Sequence, residues 1–235
     1  MNKLMFNRQE VTQVVPPPVT ATWHPIAHRD LLQSMDLVVK EVGYKVSAES
    51  YSMTRGNRRL FGSWVLDVGN GANWMIGFRH GNDKSLKVGF CAGSYVMVCS
   101  NMCFSGEFFE FRMHTSRIDI TALVRRALEQ LSAKMEALAR WQESLKRKML
   151  PKVAFKAISF DLLQTGIVKP VQFEQYLAGV DEERLAFTKT RASDLTPLYV
   201  VHGGVTRMLR GHHIGLQQSR TASLNRLVDQ YAEAA

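Results

Sequence analysis

LFGSWVLDVGNGANWMIGFRH, residues 60–80, is the stretch that decides the fold. Residues 60–68 and 74–79 are rich in aromatic and β-branched side chains, and Gly69-Asn70-Gly71 between them is turn chemistry. Two such runs joined by a glycine-bearing turn read as an antiparallel hairpin. Working outward adds strands on both sides. Residues 45–53 alternate in polarity, and Arg55-Gly56-Asn57-Arg58-Arg59 after them forms a basic turn. On the other side His80-Gly81-Asn82-Asp83 turns the chain into a strand over 87–99, and residues 107–113 follow as another. Gly89 and Gly93 mark a bulge or a close backbone approach.

Helical periodicity flanks this block. Leu31, Leu32, Met35, Val38, Val39 and Val42 share a face over residues 28–42, with Gly43 as the stop. Asp119 is placed to cap a long helix running to Met149. Along that helix Val124, Leu128, Leu131, Met135, Leu138, Gln142, Leu145 and Met149 alternate steps of four and three, which keeps one stripe toward a partner. Packing within the chain is the default use of such a stripe, and an oligomer contact is the alternative. After Pro151, shorter helices are expected over 154–163, 170–177, 181–191, 197–210 and 219–232, with Gly203-Gly204 weakening the fourth. The order predicts an α+β fold: a curved antiparallel sheet followed by a long helix and a helical C-terminal region. Three regions are expected: a proline-containing arm over 1–27, with Pro16, Pro17, Pro18 and Pro25; an α+β core with the long helix over 28–152; and helices over 153–235.

Hydrophobic residues make up 46% of the 235, enough for a substantial core. The net charge of +9 favours a polyanionic partner. No apolar run approaches the roughly 18 residues that cross a membrane, and residues 1–15 lack a signal-peptide core. Only three cysteines are present, so reduced thiols in the cytoplasm of a bacterial host cell are expected.

Three chemical constellations can be drawn, and each meets a simpler reading. Cys91, Cys99 and Cys103 with His80 and His114 are zinc-ligand types, but residues 99 and 103 on a strand lie ~13 Å apart; buried free thiols fit better. Cys99 with His114 and Asp83 has the residue types of a nucleophilic triad, yet Val96-Met97-Val98 reads as a core strand with nothing to activate the thiol. Gly69-Asn70-Gly71-Ala72-Asn73 lacks the Lys-Ser/Thr and following helix of a phosphate loop. No cofactor, metal or catalytic residue is expected, and the chain reads as a binding protein, not an enzyme.

The basic features point to function. Arg55, Arg58 and Arg59 share one turn; Arg79, Lys84 and Lys87 surround the next hairpin; Arg117, Arg125, Arg126 and Lys134 lie at or along the long helix. Phe61, Trp64, Trp74, Phe78, Phe90 and Tyr95 are interleaved with them. Cationic grooves with stacking aromatics bind single strands. Strand aromatics are nevertheless expected mainly in the core, which leaves the basic turns and helix as contacts to the backbone phosphates.

The segment HGNDKSLKVGFCAGSYVMVCSNM, residues 80–102, resembles the central motif of a phage and plasmid family of unknown function, domain of unknown function nine-three-two. Asp83 and Ser85 fit the first half of that motif; Gly93, Val98, Cys99, Ser100 and Asn101 fit the second. Lys84 stands where the family carries glycine, and Met102 replaces the glycine after Cys-Ser-Asn. Leu198-Tyr199 and Leu224-Asn225-Arg226 resemble further family positions. Asp83, Ser85, Gly93, Cys99, Ser100 and Asn101 are expected to be structural. The resemblance implies a mobile-element context. The order of sheet and long helix also resembles phage single-strand-annealing recombinases, which implies an oligomer on single-stranded DNA. The expected partner is therefore nucleic acid, single-stranded DNA first, bound by a homo-oligomer. The alternative is a protein-binding factor acting on a host target such as a defence system.

Overall fold

The computed structural model describes residues 5–54, 56–68, 73–96, 101–115, 118–188 and 194–234. The fold is α+β. Helices α1 (Arg8–Thr12) and α2 (His28–Glu41) precede strands β1 (Lys45–Met53), β2 (Arg59–Asp67), β3 (Asn73–Gly81), β4 (Val88–Val96) and β5 (Asn101–Arg112). Then come α3 (Ile120–Arg147), β6 (Met149–Pro151), α4 (Lys152–Gln164), a 3-10 turn (Pro170–Gln172), α5 (Phe173–Thr188), β7 (Leu195–Pro197), α6 (Leu198–Met208) and α7 (Ile214–Ala234). The five long strands form one sheet in chain order, and β6 pairs with β7 in a second, two-stranded one. The chain divides into two compact units: residues 1–95, 107–135 and 212–216, and residues 96–106, 136–211 and 217–235.

In the first unit, alternation places Leu60, Trp64 and Leu66 of β2 with Ile76 and Phe78 of β3 and Phe90 of β4 in one core. The apolar faces of α2 (Leu31, Leu32, Met35, Val38) and of α3 (Val124, Leu128, Leu131) complete it. Each fully buried side chain of this size contributes roughly 1.5–3 kcal/mol. The polar ends of the large aromatics are satisfied: Trp64 Nε1 donates to Tyr51 Oη (2.9 Å), and Tyr51 Oη donates to Glu49 (2.7 Å). Gly62 lies opposite Phe78 in the register, and a Cβ there would sit 2.2 Å from the Phe78 ring. The ring occupies the space that any side chain at position 62 would need.

Within the arm, α1 begins with a reciprocal capping box between Asn7 and Glu10, and Val11 joins the core. Phe6 bridges to Tyr51, and Arg8 pairs with Glu49 and Asp36. At the start of α3, Asp119 accepts from Ala122 N at 2.9 Å, the expected cap.

The second unit is mostly helical and also holds the β6–β7 pair. Residues 170–177 and 181–191, expected as separate helices, lie in the 3-10 turn and the single helix α5 as far as Thr188; residues 189–191 fall outside the described residues. Gly203-Gly204 does not interrupt α6. A Cβ on Gly204 would stand 2.8 Å from Val180 N, and one on Gly179 would stand 2.8 Å from Gly204 O. The glycines let α5 and α6 approach backbone to backbone, so packing offsets their poor helix propensity. Most of the stripe on α3 is buried within the chain, with Val124, Leu128, Leu131 and Met135 in the first core and Leu145 in the second, but the helix ends at Arg147 and Met149 is exposed in β6.

Candidate nucleic-acid interface

The turn between β3 and β4 is built by its own side chains. Asp83 Oδ1 accepts from Ser85 N (3.0 Å) and from the Ser85 hydroxyl, while its Oδ2 accepts from Arg59 Nε (2.6 Å). Burial pushes the Asp83 carboxyl up, but the hydrogen bonds from Ser85 and Arg59 together outweigh it and hold the carboxyl below its usual range. Lys84 between them has φ +66°, in the left-handed region that favours glycine. Asn82 clasps the arm: its Oδ1 accepts from Ile26 N (3.1 Å) and its Nδ2 donates to Ile26 O (2.8 Å). His24 N donates to His114 O (3.0 Å), which fixes the arm at a second point. These bonds set Trp23 beside the turn, with the Lys84 ammonium 5.3 Å from its ring centroid.

Two adjoining clefts open here, both within the first unit. The smaller, about 360 Å³, is lined by Trp23, Lys84, Ser85, Lys87, His114 and Thr115 among others. The larger, about 560 Å³, runs past Phe111, Arg112, Ile118, Ala122 and Arg126. Lys87, Met113 and Thr115 belong to both. Phe111 is 37% exposed, and the Arg79 guanidinium lies 5.9 Å from its ring centroid.

Beneath the smaller cleft lies a chain of histidines. His28 Nε2 meets the Asn57 carbonyl (2.9 Å), so it carries the proton; His28 Nδ1 is then an acceptor, and His80 Nε2 donates to it (2.7 Å). This assignment makes His80 Nδ1 a buried acceptor without a partner, and His114 Nε2 is likewise buried and unpaired. The rings of His80 and His114 meet edge-on at 5.5 Å. Burial, followed by the neighbouring imidazoles, pushes His80 well below its usual pKa and His114 to about 4. All three imidazoles are neutral at physiological pH.

The sequence-derived cations fall into three groups. Arg59, Arg125 and Arg126 are ion-paired, with Asp83, Glu41 (2.5 Å) and Glu110 (3.1 Å). Arg79 and Lys134 lie against the rings of Phe111 and Phe109. Lys84 and Lys87 are exposed at the cleft rim and Arg58 on its turn; among the described residues no ion pair engages them. Arg55, Arg117, Cys99 and Ser100 lie outside the described residues. Gly93 sits within β4 opposite Met75, and Asn101 opens β5.

Of the strand aromatics, Trp64, Phe78 and Phe90 are core and Trp74 packs on it. The cleft aromatics are instead Trp23 and Phe111, which the sequence pattern did not single out. Trp23 follows the prolines with no periodicity to place it, and Phe111 alternates with Arg112 as an ordinary strand residue would. Cys91 is buried, and burial pushes its thiol up. The side chains of Cys99 and Cys103, on which the zinc and triad arrangements depend, lie outside the described residues. Among the described residues no group of three or more His, Cys, Asp or Glu side chains is placed to hold a metal ion, and no helix is long and apolar enough to cross a membrane. Compared with family models, with characterised proteins and with solved structures, the chain matches none.

Proposed function

We propose that this protein binds single-stranded nucleic acid, single-stranded DNA first, along the two adjoining clefts. The observation that carries the reading is their composition. Lys84, Lys87 and Arg112 bring positive charge to the same walls as Trp23 and the exposed Phe111. Unpaired cations neutralise phosphates and release counterions, and each base stacked on an aromatic ring adds about 1–3 kcal/mol without regard to sequence. A duplex keeps its base faces stacked on one another and has none to offer these rings. Many of the other basic side chains are engaged in internal ion pairs, so the +9 charge does not by itself locate the binding surface.

Within the proposal, the activity serves the handling of a mobile element's single strands, a reading supported by the resemblance of residues 80–102 to phage and plasmid proteins. Assembly of several copies along one strand belongs to the same proposal. It does not use the α3 stripe, most of which the two cores consume.

The test is fluorescence anisotropy of a labelled 20-nucleotide single strand. Lys87→Glu, which reverses a charge on the wall common to both clefts, is expected to weaken binding about tenfold or more. Equal affinity of this variant and the parent would contradict the reading, as would a stoichiometric protein partner from host lysate that survives nuclease treatment while no strand binds.

A further inference from the structure

We propose that the smaller cleft is a base-reading subsite: one unpaired nucleobase enters it, stacks on Trp23 and is discriminated at its edge by His114, whereas the larger cleft only stacks and grips the backbone. This inference rests on the nucleic-acid reading above and adds to it a division of labour between the two clefts.

The division follows from what each cleft presents. In the larger one the neutral lining is mostly apolar, with Phe111, Met113, Ile118 and Ala122, and its charges are Arg112, Arg126 and the shared Lys87 with the helix-capping Asp119. Apolar walls beneath guanidinium groups favour stacking and phosphate contact, neither of which distinguishes bases. In the smaller one the charges are the exposed Lys84 and Lys87, and the neutral lining joins apolar Leu86 and Met113 and the exposed Ser85 and Thr115 to one buried polar group, His114. His114 is 4% exposed, and its Nε2 has no hydrogen-bond partner. A neutral imidazole offers one donor and one acceptor. Burial keeps this one uncharged, with a pKa near 4, so it suits the edge of a base better than a phosphate. Its ring packs against that of Trp23, with centroids 6.4 Å apart and planes 33° from parallel, so the stacking surface and the reading group are held together. A volume of about 360 Å³ matches a pocket for one small planar ligand.

The experiment uses the full chain and an eight-residue abasic DNA strand carrying a single thymine, cytosine, adenine or guanine at its fourth position, with the fully abasic strand and the matching ribose series as references. The four bases are expected to differ in affinity by about threefold or more, the effect of one gained or lost hydrogen bond. In His114→Phe, which keeps an aromatic ring but removes the nitrogens, the four bases should bind alike and still better than the abasic strand. In Trp23→Ala they should bind no better than the abasic strand. Should His114→Phe not fold, Trp23→Ala decides alone. Equal binding of the four bases to the parent overturns the subsite, as does an unchanged ranking in His114→Phe or an undiminished preference for bases in Trp23→Ala. Salt-sensitive binding of the abasic strand with no base effect would overturn the subsite and leave the groove standing. No binding of any strand would remove both. Stronger binding of the ribose series would identify RNA as the source of the base.

Discussion

Lys84 carries two opposed roles. Its φ of +66° strains a side chain that glycine would spare, at roughly 1–2 kcal/mol, part of which is recovered because glycine is freer in the unfolded chain. Lys84→Gly should therefore raise stability by about 0.5–1 kcal/mol in urea unfolding while lowering the salt slope of strand binding by about 0.7, one phosphate contact. A variant that is both less stable and equally salt-sensitive would contradict this. The histidine chain sets a pH dependence. His28, His80 and His114 all have folded pKa values below the unfolded one, so the unfolded chain takes up protons that the folded chain refuses. Their contribution to stability is complete above about pH 6.5 and is lost as pH falls toward 4. The urea midpoint should drop between pH 7 and pH 5, and drop less in His114→Phe; a pH-independent midpoint would contradict the buried, neutral assignment. Little of this was legible in the sequence. Asp83 and Ser85 form a local turn that residue types announce, but His28 and His80 lie 52 residues apart and carry no pattern that joins them.

At the scale of elements, periodicity was a good guide where one face is buried. The hairpin of β2 and β3, the apolar face of α2 and the Asp119 cap of α3 all emerge from spacing and residue type. It failed where glycine serves packing. Separate helices were expected over 170–177 and 181–191, on either side of Gly179 in α5, and Gly203-Gly204 reads as a weakness in α6, because a sequence shows the loss of propensity but not the neighbouring backbone that needs the space. Gly204→Ala tests this. Propensity alone predicts a gain of about 1 kcal/mol, whereas the clash with Val180 predicts a loss of about 1–3 kcal/mol. A lowered thermal midpoint is expected, and a raised one would show that the helices have room. The three-residue strands β6 and β7 were illegible for a simpler reason: three residues carry no period.

Across the whole molecule, the sequence reported the amount of charge but not its distribution. Arg59, Arg125 and Arg126 looked like phosphate contacts and are ion-paired, while Trp23 and Phe111 reach the cleft without a signal that isolates them. We propose that the cations and aromatic rings lining the clefts engage single strands. The most direct measurement is the affinity of the full chain for a labelled 20-nucleotide single strand across a series of salt concentrations, with unlabelled duplex as competitor. With three to four phosphates neutralised, the log–log slope should be about −2 to −3, and duplex should compete poorly. No salt-sensitive binding even at roughly 0.01 M ionic strength, where charges act over ~30 Å, would contradict the account.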